Sequence, residues 1–367
     1  MRMHMYLILH KGLQSKHHLL CISILVSLLW APQMLRADIK TLERIAEAEH
    51  KVSYVGLRLR TFSSSRGTRT FEEVVIHKSV DASYRKVVSI VGERNSSEGS
   101  HNGNERGRND RHRDNNENRR DRRERDRDRN EWRQVRNPFP EKEIKLIAQN
   151  YDLEELTSTE KIANYEIDIL TITPKFADRP TKRIFFAREN GVILRVEDLD
   201  AEGVLREMFV YTRISFDPET VERKWEVFGK EIKPRPPRSS SASLAKAEKV
   251  LKTKPIQPEY LPPGFQLKDV RIIKSRGSDS ILLEYTDGLV NFTLFEKTGN
   301  PPRIRDRDRR EEIEVELGGI TVYKRPFRET DIFRWSSAKI HFFLIGAISA
   351  DEMQRVVESI IEKIKEK

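Results

Sequence analysis

Residues 173–208, TPKFADRPTKRIFFARENGVILRVEDLDAEGVLREM, contain the pattern that decides the fold. The dipeptide Asn190-Gly191 lies between KRIFFAR and VILRVEDL, and it is the preferred sequence of a two-residue type I′ hairpin turn. A second turn is predicted at residues 200–203, where Gly203 is free to adopt a positive φ. The stretch therefore predicts an antiparallel meander of three strands, at about 182–188, 192–199 and 204–216.

Alternation within these strands predicts which side chains share a face. Ile184 and Phe186 fall on one face of the first strand, and the third strand offers an apolar set as well: Val204, Met208, Val210, Ile214 and Phe216. The opposite face carries charged side chains: Lys182, Arg195, Glu197 and Glu207. We expect a sheet that is dry on its concave side only.

The segments before the meander predict a helix, further strands and a second helix. Residues 38–51, DIKTLERIAEAEHK, carry an apolar stripe typical of an amphipathic helix: Leu42, Ile45 and Ala46. Residues 51–62, KVSYVGLRLRTF, alternate as a strand whose phase changes at Gly56, which predicts a bulge there. TFEEVVIHK, SYRKVVSIV and YEIDILTITPK predict strands, and EKEIKLIAQNYDLEEL predicts the second helix. The order of these elements predicts the α+β class with a curved antiparallel sheet.

The last third of the chain predicts a second domain behind a linker. Residues 230–260 are rich in Pro, Ser and Lys, with a short helix predicted around residues 244–251. Four segments beyond it read as antiparallel strands, with turns at Asp287-Gly288 and Gly318-Gly319. The final helix has Ser349 and Glu352 as a capping box. Its inward stripe is predicted to be Met353, Val356, Val357, Ile360 and Ile364.

Residues 1–37 predict a signal peptide. Lys11 and Lys16 precede the apolar run LLCISILVSLLW, which is roughly half as long as a membrane-spanning helix. The run is followed by LRA, a small-residue cleavage site that ends at Ala37. We expect export with cleavage after Ala37, which removes Cys21, the only cysteine. An uncleaved membrane anchor is the alternative.

The net charge of +10 does not indicate a nucleic-acid-binding protein. Much of the charge lies in residues 93–136, where 14 arginines face 11 acidic residues with almost no apolar side chain. Such a segment cannot bury enough surface to offset its ordering entropy, so it predicts a disordered insert. Interleaved Arg and Asp also cancel most of the positive field, and Trp132 alone offers a stacking face.

The sequence predicts neither an enzyme nor a metal or cofactor site. Five histidines follow the predicted cleavage site, and none is spaced to share a metal with a second ligand: His50, His77, His101, His112 and His341. No nucleophile elbow, phosphate-binding loop or dinucleotide fingerprint is present. Paired acids are common in a chain that is 34% charged, so they carry little information.

Several stretches resemble the RseB/MucB family of periplasmic regulators of the sigma-E stress response. They are YVGLRLRTF, the tract from Tyr165 to Pro218, LPPGFQLKDVRII and LLEYTDGLVNFTLFEK. The resemblance implies a LolA-like curved antiparallel half-barrel with covering helices over residues 38–229. It also implies a smaller α+β C-terminal domain over residues 261–367. No cofactor is implied.

The resemblance further implies an apolar cavity that holds acyl chains in the first domain. The candidate lining residues are Tyr54, Leu57, Leu59, Ile76, Val88, Ile184, Phe186 and Val210. The same alternation is equally typical of a filled hydrophobic core, and the residues alone leave both interpretations open. In the second domain, YTDGL is similar to the family's YSDGL, which makes four residues candidates for partner binding: Tyr285, Asp287, Gly288 and Leu289.

Three functions are therefore weighed. The first is a periplasmic negative regulator that binds the extracytoplasmic part of an anti-sigma factor and senses lipid, lipoprotein or lipopolysaccharide. The second is a lipid or lipoprotein carrier of the LolA type. The third is an envelope adaptor with a dry core and no ligand. The second domain favours the regulator, because carriers of this type usually have one domain. In each case the protein is expected to be peripheral to the membrane at most and to bind no nucleic acid.

Overall fold

The structure, a computed structural model, describes residues 35–36, 39–64, 67–91, 131–135, 139–233, 239–274, 279–299, 311–327, 330–337 and 339–366. The predicted signal peptide, apart from residues 35–36, lies outside the described residues, as do residues 93–130 and 136 of the predicted insert. The α+β class is confirmed, because the described residues form two antiparallel sheets and five α-helices in two domains.

Within the described residues, the first sheet has ten strands in the order β1-β6-β7-β8-β9-β10-β2-β3-β4-β5. Its strands are β1 Leu35–Arg36, β2 Tyr54–Ser64, β3 Gly67–His77, β4 Ser83–Val91, β5 Arg133–Gln134, β6 Tyr151–Ile162, β7 Tyr165–Pro174, β8 Thr181–Ala187, β9 Ile193–Leu199 and β10 Leu205–Ser215. Neighbouring strands are antiparallel throughout. The three predicted meander strands are β8, β9 and β10, and their predicted bounds are correct to within one residue.

α1 Ile39–Lys51 and α2 Glu141–Asn150 cover one face of this sheet and contact each other. A third helix, α3 Pro218–Gly229, contacts β2 and β3 from the other face, where its Trp225 packs on Tyr84 of β4. The predicted stripe of α1 is buried, with Leu42 and Ile45 at 0% exposure, and it packs with α2 against β6 to β9. Burial of these apolar side chains is the main contribution to the stability of the domain.

The hairpin at Asn190-Gly191 forms with a different turn from the predicted one. Gly191 has φ +79°, but Asn190 does not share a positive φ, which a type I′ turn requires at both central residues. The N–H of Gly191 donates to the carbonyl of Ala187, so the connection is longer than two residues. The type I′ geometry occurs instead between β6 and β7, where Ala163 and Asn164 have φ of +49° and +75°.

The predicted division of the meander into an apolar and a charged face is wrong for β10. Met208 lies directly opposite Glu197, and opposed residues of antiparallel strands share a face. Ile184 lies opposite Val196, which is opposite Phe209, so these three lie on the other face. Because Met208 and Phe209 are consecutive, Met208 and Val210 face away from Ile184, whereas Ile214 follows a register shift and shares the face of Ile184, opposite Gly56. Lys182 is two residues from Ile184 and shares its face too, so the predicted charged face is also wrong for Lys182.

The predicted bulge at Gly56 is displaced onto the neighbouring strand. The ladder between β2 and β3 runs without a shift from Tyr54 to Ser64. The register shift lies in β10, between Tyr211 and Arg213, where β10 pairs with β2. This bulge moves the later residues of β10 to the opposite face, which sequence alternation does not show.

Two further predictions are corrected. The second helix ends at Asn150, and YDLEEL begins β6, where Leu153 is buried opposite Ile172. Sheet pairing outweighs the helix propensity of this segment. Residues 131–135, predicted as part of a disordered insert, include β5, and Trp132 packs 4.9 Å from Phe228, measured between ring centroids.

The second sheet has eight strands in the part of the chain that the structure describes, in the order β11-β12-β13-β14-β18-β17-β16-β15. The elements of the second domain are β11 Ser239–Ser241, α4 Leu244–Leu251, β12 Gln266–Ile273, β13 Ser280–Thr286, β14 Asn291–Thr298, β15 Ile313–Leu317, β16 Ile320–Phe327, β17 Thr330–Ser337, β18 Ile340–Gly346 and α5 Ala350–Lys365. The Ser349 hydroxyl accepts the Glu352 N–H, as the predicted capping box requires, whereas the Glu352 carboxylate binds the Tyr260 hydroxyl. The predicted stripe of α5 packs into the core of this domain.

Much of the predicted linker belongs to the second domain. Within residues 230–260, β11 joins the sheet edge, and the predicted short helix is α4. Ala247, Leu251 and Ile256 are at most 4% exposed and pack into the same core as α5. A Pro- and Ser-rich composition therefore does not make this segment a free spacer.

Candidate functional site at the junction of the two domains

The YTDGL loop joins β13 to β14 and contacts the first domain. Tyr285 and Asp287 are 2% and 0% exposed, Gly288 is buried, and Leu289 is half-buried. Leu289 packs against the helix-covered core of the first domain as well as against its own. The four candidate partner-binding residues therefore lie together at a junction inside the protein, not on an open surface.

Asp287 is the centre of this junction. Its Oδ1 accepts the N–H groups of Leu289 and Val290 at 3.0 and 2.8 Å, which shapes the loop. Its Oδ2 accepts the hydroxyl of Tyr151 at 2.7 Å and Nη1 of Arg179, both from the first domain. Burial raises the pKa of Tyr151, and the Asp287 carboxylate raises it further, so the phenol stays a donor.

Arg179 joins the two domains through three contacts. Besides its ion pair with Asp287, its Nη2 donates to the carbonyl of Pro263 at 2.7 Å. Its guanidinium also lies 4.7 Å from the centroid of the Phe265 ring. Arg179 is 5% exposed, so both partners of the ion pair are removed from water. A charge pair at this depth is retained only when its geometry and hydrogen bonds are good, because desolvation is costly.

Asn150 adds a neutral contact beside the ion pair. It is the last residue of α2, and its Nδ2 donates to the carbonyls of Gly264 and Asp287, at 3.1 and 2.8 Å. At the rim, Nζ of Lys268 lies 2.6 Å from the Glu143 carboxylate, which links β12 to α2. The junction thus combines a buried charge pair, an amide bridge and a half-buried rim pair.

We expect Gly288→Ala to weaken the junction. Gly288 has φ +108°, and a Cβ on it would lie 2.8 Å from both N and Cγ1 of Ile147 on α2. Gly319→Ala is the matched control, because Gly319 also has a positive φ, +70°, but has open space around its Cβ position. Denaturant melts should show a loss about 1–3 kcal/mol larger for Gly288→Ala. Equal losses would mean that the contact with α2 contributes nothing.

The eight candidate lipid-cavity residues are not brought together around one cavity. Ile184 and Phe186 are 0% exposed in the core beneath α1 and α2, and Tyr54 lies in a neighbouring cluster. Ile76 is buried, whereas Val88 is 49% exposed. The remaining three are half-buried: Leu57, Leu59 and Val210. Leu59 lies opposite Val210, one residue out of phase with Tyr54, so the set is divided between both faces of the sheet.

An open cavity of about 440 Å³ lies elsewhere, between α3 and the start of β4. It is lined by Ala82, Tyr84, Trp225, Glu226, Gly229, Lys230 and Ile232. Its aromatic walls are Tyr84 and Trp225, whose ring centroids are 6.2 Å apart. None of the eight candidate lipid-cavity residues lines it.

A buried polar cluster lies where the end of α1 meets β2 and β3. Glu49 is 7% exposed, and its backbone carbonyl contacts Nε2 of His77 at 2.9 Å. The Glu49 carboxylate lies 4.0 Å from Nδ1 of His77, and the Tyr54 ring stacks on the imidazole at 4.7 Å. Burial raises the pKa of Glu49 to about 7, against a smaller opposing effect of Arg58. Burial lowers the pKa of His77.

Within the part of the chain that the structure covers, no group of three or more His, Cys, Asp or Glu side chains could hold a metal ion. The same described ranges contain no helix that is long and apolar enough to span a membrane.

The fold and the junction define a two-domain α+β protein whose domains are joined through buried polar contacts. Residues 109–232, about a third of the chain, match the family model described as the MucB/RseB N-terminal domain. These residues are therefore similar to the MucB/RseB N-terminal domain, which confirms the resemblance found in the sequence. No curated protein sequence matches the chain.

Solved structures similar to this chain include three that contain MucB. A crystal structure of MucB in complex with MucA(peri) has 18% identity and a TM-score of 0.47, covering 87% of this chain and 97% of that one. A complex of Pseudomonas aeruginosa MucA and MucB has 18% identity and a TM-score of 0.46, covering 88% and 97%. A crystal structure of MucB has 17% identity and a TM-score of 0.41, covering 87% and 96%.

Proposed function

We propose that this protein is a periplasmic regulator that binds the extracytoplasmic part of an anti-sigma factor. The match of residues 109–232 to the MucB/RseB N-terminal domain is the observation that carries this proposal. MucB is found in complex with MucA or its periplasmic part in two of the similar structures, so a MucA-like segment is the partner to test. The second domain, bonded to the first through Asp287, supports a regulator over a one-domain carrier.

The junction residues are proposed to act on partner binding through domain orientation. Tyr285 and Asp287 are buried, so a partner does not reach them while the junction is closed. A partner that contacts both domains would bind best to one relative orientation of them. Groups that hold this orientation contribute to affinity by reducing what must be ordered on binding.

The location is proposed from the N-terminus. Export and cleavage after Ala37 would leave a mature chain that begins at residue 38 and contains no cysteine. Cleavage would also remove Leu35 and Arg36, which pair with β6 in the full chain. Mass spectrometry of the protein from the periplasmic fraction tests this, and a chain that retains residues 1–37 in the membrane fraction would contradict it.

The partner is tested by binding of the mature chain to the periplasmic segment of a single-span anti-sigma protein encoded beside it. Calorimetry should show saturable binding, and a peptide of the same composition in scrambled order should not bind. The same titration with an Asp287→Asn variant should give weaker binding if domain orientation matters. Absence of binding by the wild-type chain would contradict the proposed function.

Lipid sensing is proposed as the second part of this function, and it depends on whether the core beneath α1 and α2 opens. Phe186 is fully buried there, with the Arg44 guanidinium 5.5 Å from its ring centroid. An acyl chain that enters this core must bind a state in which the helices and the sheet are separated. Its higher affinity for that state determines how far the equilibrium between the closed and the separated state shifts.

Phe186→Trp separates a cavity from a packed core. We expect the larger side chain to lower stability by about 1–3 kcal/mol through overpacking, measured by denaturant melt. If the core opens to lipid, the same variant should also weaken displacement of a fluorescent fatty acid. Lowered stability with unchanged lipid affinity would contradict a lipid site at Phe186. If the wild-type chain binds no lipid, lipid sensing and the lipid-carrier function are both contradicted. The envelope adaptor with no ligand would then remain.

A further inference from the structure

A patch of four lysines covers the outer side of α4 and the residues that follow it. The lysine patch consists of Lys246, Lys249, Lys252 and Lys254, and all four are exposed. Glu248 is the only acidic residue between positions 244 and 254. Lys246 and Lys249 are three residues apart on the helix, which places them side by side on its surface.

The charges of the lysine patch are not neutralised within the described residues. None of its four members makes an ion pair there, whereas lysines elsewhere on the second domain do. For example, Lys268 lies 2.6 Å from Glu143, and Lys324 lies 3.1 Å from Asp331. The patch is therefore a concentrated positive surface, because its four unpaired lysines lie within nine residues of one another.

The patch is carried by a rigid support. The inner side of α4 is buried, with Ala247 at 0% and Leu251 at 2% exposure in the core of the second domain. Ser243 caps the helix by accepting the N–H of Lys246 at 3.2 Å. Lys252 ends the helix with φ +60°. The lysine patch thus lies on a backbone that core packing holds in place.

The composition of the patch indicates which kind of partner it fits. Protein interfaces are enriched in aromatic residues and Arg and depleted in Lys, and residues 244–254 contain neither Arg nor an aromatic residue. Large exposed apolar side chains, which would insert into a bilayer, are also missing from this described stretch. Lysines without an apolar anchor bind a diffuse anionic surface reversibly, and each adds to the attraction.

We propose that the lysine patch binds the surface of a bilayer that contains anionic phospholipids. Binding is electrostatic, without insertion of α4, whose apolar side is already buried in its own domain. The contact would hold the second domain at the membrane surface. It is independent of the anti-sigma partner, so the proposed function and this surface can fail separately.

The test is co-sedimentation of the mature chain with vesicles of phosphatidylcholine alone or mixed with phosphatidylglycerol, without any peptide. The variant carries Lys→Gln at positions 246, 249, 252 and 254. The control carries Lys→Gln at four exposed lysines that make no ion pair within the described residues: Lys142, Lys145, Lys233 and Lys339. Both variants lose the same net charge, and both retain the Arg-rich segment.

The wild-type chain should bind the phosphatidylglycerol vesicles at low salt and dissociate from them at high salt, because salt screens the attraction between surface charges. The patch variant should lose on the order of 100-fold in partitioning, and the control should lose far less. Equal losses in both variants, or equal binding to the two kinds of vesicle, would overturn the proposal. Binding to poly-glutamate but not to vesicles would also overturn it, because it would identify an acidic protein as the partner.

Discussion

Replacing Asp287 with asparagine is expected to uncouple the two domains at a cost of about 3–5 kcal/mol. Asparagine keeps the shape of the side chain but removes the negative charge that faces Arg179, which is 5% exposed. An unpaired buried cation must either be tolerated at high cost or reach water by opening the junction. Calorimetry should show a lower midpoint and separate transitions for the two domains, and small-angle scattering should show a larger radius of gyration.

Two control substitutions give losses of stability with which this effect can be compared. Tyr151→Phe removes one hydrogen bond to the same carboxylate and should cost about 1 kcal/mol, because the ion pair remains. Asp269→Asn makes the identical substitution in a partly exposed pair with Arg271 and should cost less than about 1 kcal/mol. If Asp287→Asn cost no more than Tyr151→Phe, the buried charge pair would not hold the junction.

Replacing Glu49 with glutamine is expected to stabilise the protein above neutral pH and to have a much smaller effect at pH 5. The pKa of Glu49 is raised to about 7 in the folded state by burial, against an ordinary value of 4.5. Between these two values the folded chain holds a proton that the unfolded chain has lost. Stability therefore falls as pH rises from 4.5 to 7, by about 3 kcal/mol in total, and is constant above.

Glutamine keeps the size of the side chain and stays neutral, so this loss should disappear. The difference between variant and wild type, from denaturant melts at several pH values, should grow from less than about 1 kcal/mol at pH 5 to about 3 kcal/mol at pH 8. Burial lowers the pKa of His77 from its ordinary value of 6.5, so we expect His77 to be neutral in both proteins above that pH.

Glu47→Gln is the matched control for the pH experiment. Glu47 lies two residues away on the same helix but is exposed, and it forms an ion pair with Lys51. Its pKa is lowered by the hydrogen bond and charge of Lys51, so it is ionised throughout this range of pH. The pH profile of Glu47→Gln should follow that of the wild type. A pH-independent effect of Glu49→Gln would contradict a protonated Glu49.

The C-terminal half of the fold was largely predictable, because its signals are local. Gly318 and Gly319 mark a turn between two alternating runs, and the structure places both at positive φ between β15 and β16. Ser349 caps α5 as its spacing to Glu352 predicts. The apolar stripe of a single helix packs against the core whatever the rest of the fold is, so its residues can be predicted from their periodicity.

Only part of the candidate site could be predicted from the sequence. YTDGL was singled out by family resemblance, whereas its partners lie in segments with no special pattern: Asn150, Tyr151 and Arg179. Arg179 is one of many arginines in a chain with abundant charge, and nothing local distinguishes the one that is buried. The positions of these partners could not be read from alternation, turns or caps.

The sequence by itself determined the bounds of the three meander strands, the Gly318-Gly319 turn and the stripes of the helices, since each depends on residues a few positions apart. Only the tertiary structure decided the face of β10 and the pairing of Arg179 with Asp287, which are 108 residues apart. A bulge in one strand reverses every later side chain, and its position depends on packing against the neighbouring strands. The free energy of a buried charge depends on the partner that the fold places beside it. The junction therefore could not be predicted from residues that are close in sequence.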